Sequence, residues 1–140
     1  MGLRRKSREI VLQFLFGHDF QSQANDPESI SKELDSFCSS FDASSKALPY
    51  SRELITGISE RYDEIDKLVN AHSHHWRLER MSLVDRNILR IAIYEMKFTE
   101  DVPVRVAINE ALEIAKNYSI PDSVPFINGI LDAIELTSEK

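Results

Sequence analysis

Cysteine is almost absent from this sequence of 140 residues: Cys38 stands alone and cannot close an internal disulfide. Stability must therefore come from packing, as in proteins of reducing compartments. Cys38 reads as a small core residue instead of a nucleophile. Long apolar runs are missing as well. No stretch approaches the roughly 20 apolar residues of a membrane span, and the start, MGLRRKSREI, lacks the apolar segment of a signal peptide. The expectation is a cytoplasmic protein with no membrane partner. Glycine and proline are scarce, 4 and 5 residues, and no segment alternates apolar and polar residues with period two, which argues against strands. A glycine-rich phosphate loop, a nucleophile elbow, a dinucleotide fingerprint and a convincing catalytic carboxylate pair are all missing. The chain is expected to be a binding protein with no catalytic residue and no cofactor.

What is present is helical spacing almost everywhere. With 42% hydrophobic residues the chain suits one compact domain over residues 1–140. A first helix is expected over about residues 4–20, with Leu3, Ile10 and Phe14 on its core side, flanked by Ser7 and Val11. Asp26, Pro27 and Glu28 form a helix start: a side-chain cap, a proline in the first turn, an acid near the positive dipole end. Ile30, Leu34, Phe37 and Phe41 mark that second helix, and Asp42 to Ala47 reads as a linker. Pro49 opens a third helix carrying Leu54, Ile58, Tyr62, Ile65 and Val69. Ser82, with Asp85 three residues on, is a variant capping box, and it precedes a helix with apolar residues on most sides, Ile88 to Met96, which is expected to be central. Pro103 opens a helix that ends near Tyr118, and Asp122 or Ser123 caps the last, where Ile127, Ile130, Leu131 and Ile134 form a stripe. The fold class is all-α, with six to seven helices.

The net charge of −6 argues weakly against nucleic acid, but it hides an asymmetry. Arg4, Arg5, Lys6 and Arg8 occupy residues 1–8 with no acid, which leaves 13 basic against 23 acidic residues elsewhere. At about 100° per residue, Arg4, Arg5 and Arg8 form one stripe beside the apolar face, continued by Leu12 and Phe16. Cations followed by an aromatic ring can hold phosphates and stack a base; a solvated helix start is the plainer alternative. His72 and His75, with His74 between them, have the i, i+3 spacing of some zinc sites but no third ligand, so no metal is expected. Trp76 is a core anchor or an interface residue. Glu95, Glu110 and Glu113 read as polar anchors between packed helices, or in an enzyme as a buried base. Asn128 and Gly129 interrupt the last helix, as close packing at the glycine with the asparagine bonded to backbone would require.

Taken together, SREIVLQFLFGHD, YSRELITGI, DRNILRIAIYEM, VPVRVAINEALEIAKNY and FINGILDAI, in this order, resemble the NusB family along nearly the whole chain. The resemblance implies two packed helical bundles and a transcription antitermination factor. It implies an arginine-rich N-terminus binding single-stranded boxA RNA of nascent ribosomal transcripts, a complex with NusE, a small-subunit ribosomal protein, and entry into the RNA polymerase antitermination complex. Carried over by position, the RNA-binding residues are Arg4, Arg5, Lys6, Arg8, Phe16, Arg90, Asp122 and Phe126. Asp85, read as an exposed acid, and Phe16 fall at positions of partner contact. Phe16 stands where tyrosine is common, which keeps a ring and removes a hydroxyl. Ser119 replaces a usual glycine, and Pro125 directly precedes Phe126. Two alternatives accompany this reading. One is a structural homodimer using the first helix. The other is the NusB-like domain of RNA cytosine methyltransferases, disfavoured because the chain ends at ELTSEK with no room for a cofactor domain.

Overall fold

The computed structural model of the chain describes residues 2–21, 26–40, 46–73 and 76–137. The elements are α1 (Gly2–Phe20), α2 (Pro27–Ser40), α3 (Leu48–Glu60), α4 (Tyr62–His72), α5 (Leu83–Phe98), α6 (Val104–Tyr118) and α7 (Ser123–Thr137), with a 3-10 turn at Leu78–Arg80. Among the described residues there is no strand, so the fold is all-α as expected. None of these helices is long and apolar enough to cross a membrane. The helices gather into two compact units, Met1–Arg61 and Tyr62–Lys140.

In the first unit α3 packs against both α1 and α2. Ile10, Val11, Phe14 and Leu15 from α1, Ile30 and Leu34 from α2, and Leu54, Ile55 and Ile58 from α3 are buried. Two serines stitch α1 to α3. The Ser7 hydroxyl donates to the Ala47 carbonyl at 2.8 Å, and the Ser51 hydroxyl lies 3.0 Å from the Ser7 carbonyl. Small side chains let the backbones approach, and both buried hydroxyls find acceptors. Ser7 is level with Ala47, where α3 begins, so Leu3 a turn earlier lies past the packed length of the pair. It is exposed, not part of the core as expected. Ala47, expected in the linker, is fully buried by the same contact; Phe41 and residues 42–45 lie outside the described residues. The cap of α2 is as expected. The Ser29 amide donates to Asp26 Oδ2 at 3.0 Å, and this bond holds the Asp26 carboxyl below its ordinary range. Phe14 meets Phe37 edge to face at 5.4 Å, and the buried His18 pairs through Nδ1 with Glu33 at 2.7 Å.

The long third helix expected through Val69 is two helices. At Arg61 the backbone leaves the helical region (φ −130°, ψ 22°), and its amide donates back to Ile58 before α4 begins. Leu54, Ile58, Tyr62, Ile65 and Val69 keep helical spacing across the break, and for that reason the apolar pattern runs through it unchanged.

In the second unit α5 packs against α4, α6 and α7. Ile88, Leu89, Ile91, Ala92, Ile93 and Met96 are all buried, so this helix is central as its composition implied. Ile108, Ala111 and Ile114 of α6 and Ile127, Ile130, Leu131 and Ile134 of α7 complete the core. Glu95 and Glu110 are buried with them, as anchors between helices would be. Arg105 spans the outer surface of α6 and α7, reaching Glu135 at 2.9 Å and Asp132 at 3.2 Å. Gly129 does not serve close packing: a side-chain carbon there would meet nothing within 4 Å. Nor does Asn128 bond to backbone through its buried Oδ1, which has no hydrogen-bond partner. Glycine is in this respect an unforced choice in the middle of α7.

Ile91→Ala should lower the stability of the chain by roughly 2–5 kcal/mol, the range for truncating a buried isoleucine. Urea unfolding checks this; a loss under about 0.5 kcal/mol, typical of surface positions, would displace α5 from the centre.

Candidate functional site

The sequence-derived candidates fall into two groups, one in each unit. In the first unit, Arg4, Arg5 and Lys6 crowd the opening turn of α1, which contains no acid. Cations there oppose the helix dipole, so the helix gains no dipole stabilisation from them at that end. The Arg4 guanidinium lies over the Tyr50 ring, 4.2 Å from its centroid. Arg8 is different. It is 4% exposed, with its guanidinium 6.0 Å from the same ring. The stripe predicted from the helical wheel is therefore split. Its edge nearest the apolar face, Arg8 and Leu12, is covered, and Arg8 is removed from the cations open to a phosphate. Further along, Phe16 is 39% exposed and stacks on Phe20, which is 72% exposed; their centroids are 6.2 Å apart and their planes within 8°. Tyr50 and Phe20 were missing from the expected site. Tyr50 comes from another helix, so no spacing along α1 could indicate it. Phe20 continues the i, i+4 series from Phe16 and was legible in principle.

In the second unit, Asp85 is the meeting point of three helix ends. Its amide donates to Ser82 Oγ at 3.1 Å, the expected cap. Its carboxylate accepts from Ser119 Oγ at 2.5 Å and Ser123 Oγ at 2.7 Å, at the end of α6 and the start of α7. The exposed partner-facing acid expected here is thus a buried one, 9% exposed, because two hydroxyls replace its water. Ser119, where the family resemblance implied glycine, holds an extended backbone (φ −124°, ψ −174°) and needs no left-handed residue. Beside this cluster opens a groove of about 430 Å³, walled by Trp76, Arg80, Met81, Ile120, Asp122 and Phe126. Trp76 is exposed on it and is no core anchor. Asp122 is exposed and Phe126 half-buried, so both can meet a ligand.

Arg90 does not join them. It is 4% exposed, with Nε 2.9 Å and Nη2 3.0 Å from the two carboxylate oxygens of Asp66. Nη1 donates to Asn87 Oδ1 at 2.9 Å, and the guanidinium sits 4.8 Å from the Tyr62 ring centroid. Its sequence neighbours are core residues, and this fork ties α5 to α4 from inside, out of a ligand's reach. His72 is engaged locally, with Nδ1 2.9 Å from the Leu68 carbonyl oxygen and Nε2 3.3 Å from Thr137 Oγ1. His74 and His75 lie outside the described residues.

Comparison with known proteins adds the following. A family model described as the NusB family matches residues 5–136. The transcription antitermination protein NusB of Desulfosudis oleivorans is 47% identical over 135 residues, covering 96% of this chain and 86% of that protein. The structure of T. maritima NusB superposes with a TM-score of 0.83 at 38% identity, over 98% of this chain and 93% of that one. A structure of the antitermination factors NusB and NusE in complex with double-stranded RNA shares the fold at 21% identity, with a TM-score of 0.79 and 99% of both chains covered.

Two substitutions separate scaffold from ligand surface. Arg90→Ala should destabilise the second unit by about 3 kcal/mol or more, since it strands Asp66 and leaves a hole; a variant of unchanged melting temperature would return Arg90 to the ligand surface. Asp85→Ala should cost about 1–3 kcal/mol by leaving two hydroxyls without their acceptor, and thermal unfolding at neutral pH measures it. A change below about 0.5 kcal/mol would mean that water replaces the carboxylate without loss.

Proposed function

The chain belongs to the NusB family, and from that premise we propose that it is a transcription antitermination factor that binds RNA at the first turn of α1. The observation that carries the RNA reading is the trio Arg4, Arg5 and Lys6 at the start of a helix whose first turn contains no acid. Such a turn is unfavourable by itself and becomes favourable when phosphates occupy it, because the helix end and the side chains then attract the same anion. Phe16 offers a ring to a base on the same helix. In the second unit Asp122 and Phe126, beside the groove, are the remaining candidates for RNA or partner contact. Asp85 acts there by fixing the groove's shape, not by presenting its charge.

The ligand is a single-stranded boxA element of a nascent ribosomal transcript, and the protein partner is NusE, in an assembly with RNA polymerase. The NusB solved with NusE and RNA supports both partner classes. Its RNA is double-stranded, so a duplex belongs among the probes. The chain acts as a cytoplasmic binding protein and not as an enzyme.

With one phosphate per cation, Arg4, Arg5 and Lys6 should give log affinity a slope near −2 against log salt, at about −0.7 per contact on a single strand. Replacing Arg5 and Lys6 together by alanine should reduce that slope by about 1.4 and weaken boxA and scrambled RNA alike. The check is a titration of both RNAs and a duplex at several salt concentrations, with and without NusE. An unchanged slope and unchanged affinity would remove α1 from the RNA site and leave the groove at Asp122 and Phe126.

A further inference from the structure

Phe16 and Phe20 are left stacked in solvent by a unit that buries Phe14 against Phe37. One exposed ring is ordinary, but Phe16 and Phe20 lie side by side as a contiguous apolar patch, and such patches mark interaction surfaces. Between the two sits Gly17, in the interior of α1, where a side-chain carbon would meet nothing within 4 Å. Glycine weakens a helix interior relative to alanine, and here no turn, no close neighbour and no left-handed backbone calls for it. Its effect is to leave bare backbone beside the rings, where a flat ligand can come close.

On the helical wheel Phe16, Gly17 and Phe20 share the solvent side with Arg5 and Lys6, at about 100° per residue. Arg5 and Phe16 are roughly 16 Å apart along the axis, at 1.5 Å per residue, a distance that a few nucleotides of single strand cover. Glu9 and Gln13 lie between them, so phosphates are held at the first turn and not along the whole helix. A cationic end followed by nearly parallel rings suits a strand whose backbone is gripped at one point and whose bases are laid down further on.

We infer that Phe20 and Phe16, with the bare backbone at Gly17, form a two-ring stacking platform for unpaired RNA bases. The inference rests on the RNA reading above and extends it to Phe20 and to how a single strand is held, because bases paired in a duplex cannot turn their faces onto the rings. Stacking is sequence-tolerant, so the platform contributes affinity and strand selectivity while base identity is read elsewhere.

The test is a titration of a short single-stranded RNA in which one adenine is replaced by fluorescent 2-aminopurine, placed successively along the strand, with a duplex of the same sequence as control. In the wild-type chain one or two positions should be quenched by stacking. Phe20→Ala should weaken single-strand binding roughly tenfold, abolish the quenching at one position, and leave the salt slope and duplex affinity unchanged. Phe20→Leu, which keeps apolar bulk without a ring face, should not restore binding. Phe20→Ala with wild-type affinity and quenching would overturn the platform, as would full rescue by leucine. So would a dimer, seen by gel filtration, that Phe20→Ala dissolves with RNA affinity untouched, since the rings would then be a self-association seam. If wild-type protein shows no salt-dependent RNA binding at all, the RNA reading falls and the platform with it; if the cation-dependent slope is present and Phe20→Ala is silent, only the platform falls.

Discussion

The second unit hangs on one carboxylate. Asp85 donates its backbone amide to Ser82, the cap of α5, and receives the hydroxyls of Ser119 and Ser123 with its side chain, so the end of α6 and the start of α7 are fixed to the start of α5. Hydrogen bonds to a charged acceptor are stronger than those between neutral groups, and burial removes the water that would compete. The positive ends of α5 and α7 favour a negative charge at this spot as well. The groove beside it, bounded by Trp76, Arg80 and Phe126, takes its form from these three helix ends, so a residue that a ligand barely touches governs the surface a ligand would meet.

Arginine plays two opposite parts in this chain, and the difference lies in what surrounds each one. Arg90 meets a carboxylate, an amide oxygen and the Tyr62 ring, and becomes a buried brace between α4 and α5. Arg8 is covered beside Tyr50, whereas Arg4 lies over that same ring from the exposed turn. A guanidinium plane stacks on an aromatic face and still keeps donors at its edge. Tyr50 thereby takes one face of the Arg4 guanidinium and leaves the donors at its edge to other groups.

How much of this was legible follows from range. Features that depend on neighbours within a turn or two were readable: the Asp26 cap, the Ser82 cap, the apolar stripe of α7 and the all-apolar character of α5. Features that depend on a distant helix were not. Arg8 and Arg4 look equivalent on the wheel, yet the fold covers Arg8 and leaves Arg4 exposed. Asp85 reads as a solvated cap until Ser119 and Ser123 arrive from residues more than thirty positions later. Arg90 carries the charge expected of an RNA contact, and Asp66, on another helix, cancels it. The break at Arg61 escaped for another reason: the core on both sides of it demands the same spacing, so the hydrophobic pattern had no cause to change. Leu3 and Gly129 show the reverse error, in which a regular pattern or an unusual residue was credited with packing that no neighbour supplies.

The serine seam between α1 and α3 carries a further implication. Because the Ser7 hydroxyl reaches both the Leu3 carbonyl of the opening turn and the Ala47 carbonyl at the start of α3, with Ser51 bonded in turn to the Ser7 carbonyl, fraying of the opening turn disturbs a contact that α3 shares. An anion held by that turn would therefore slow amide hydrogen exchange in both helices, including residues of α3 that it never touches. The same coupling runs backwards, since a local opening at the start of α3 would loosen the grip on the anion. In the first unit, occupancy of the surface and protection of the interior are two readings of one equilibrium.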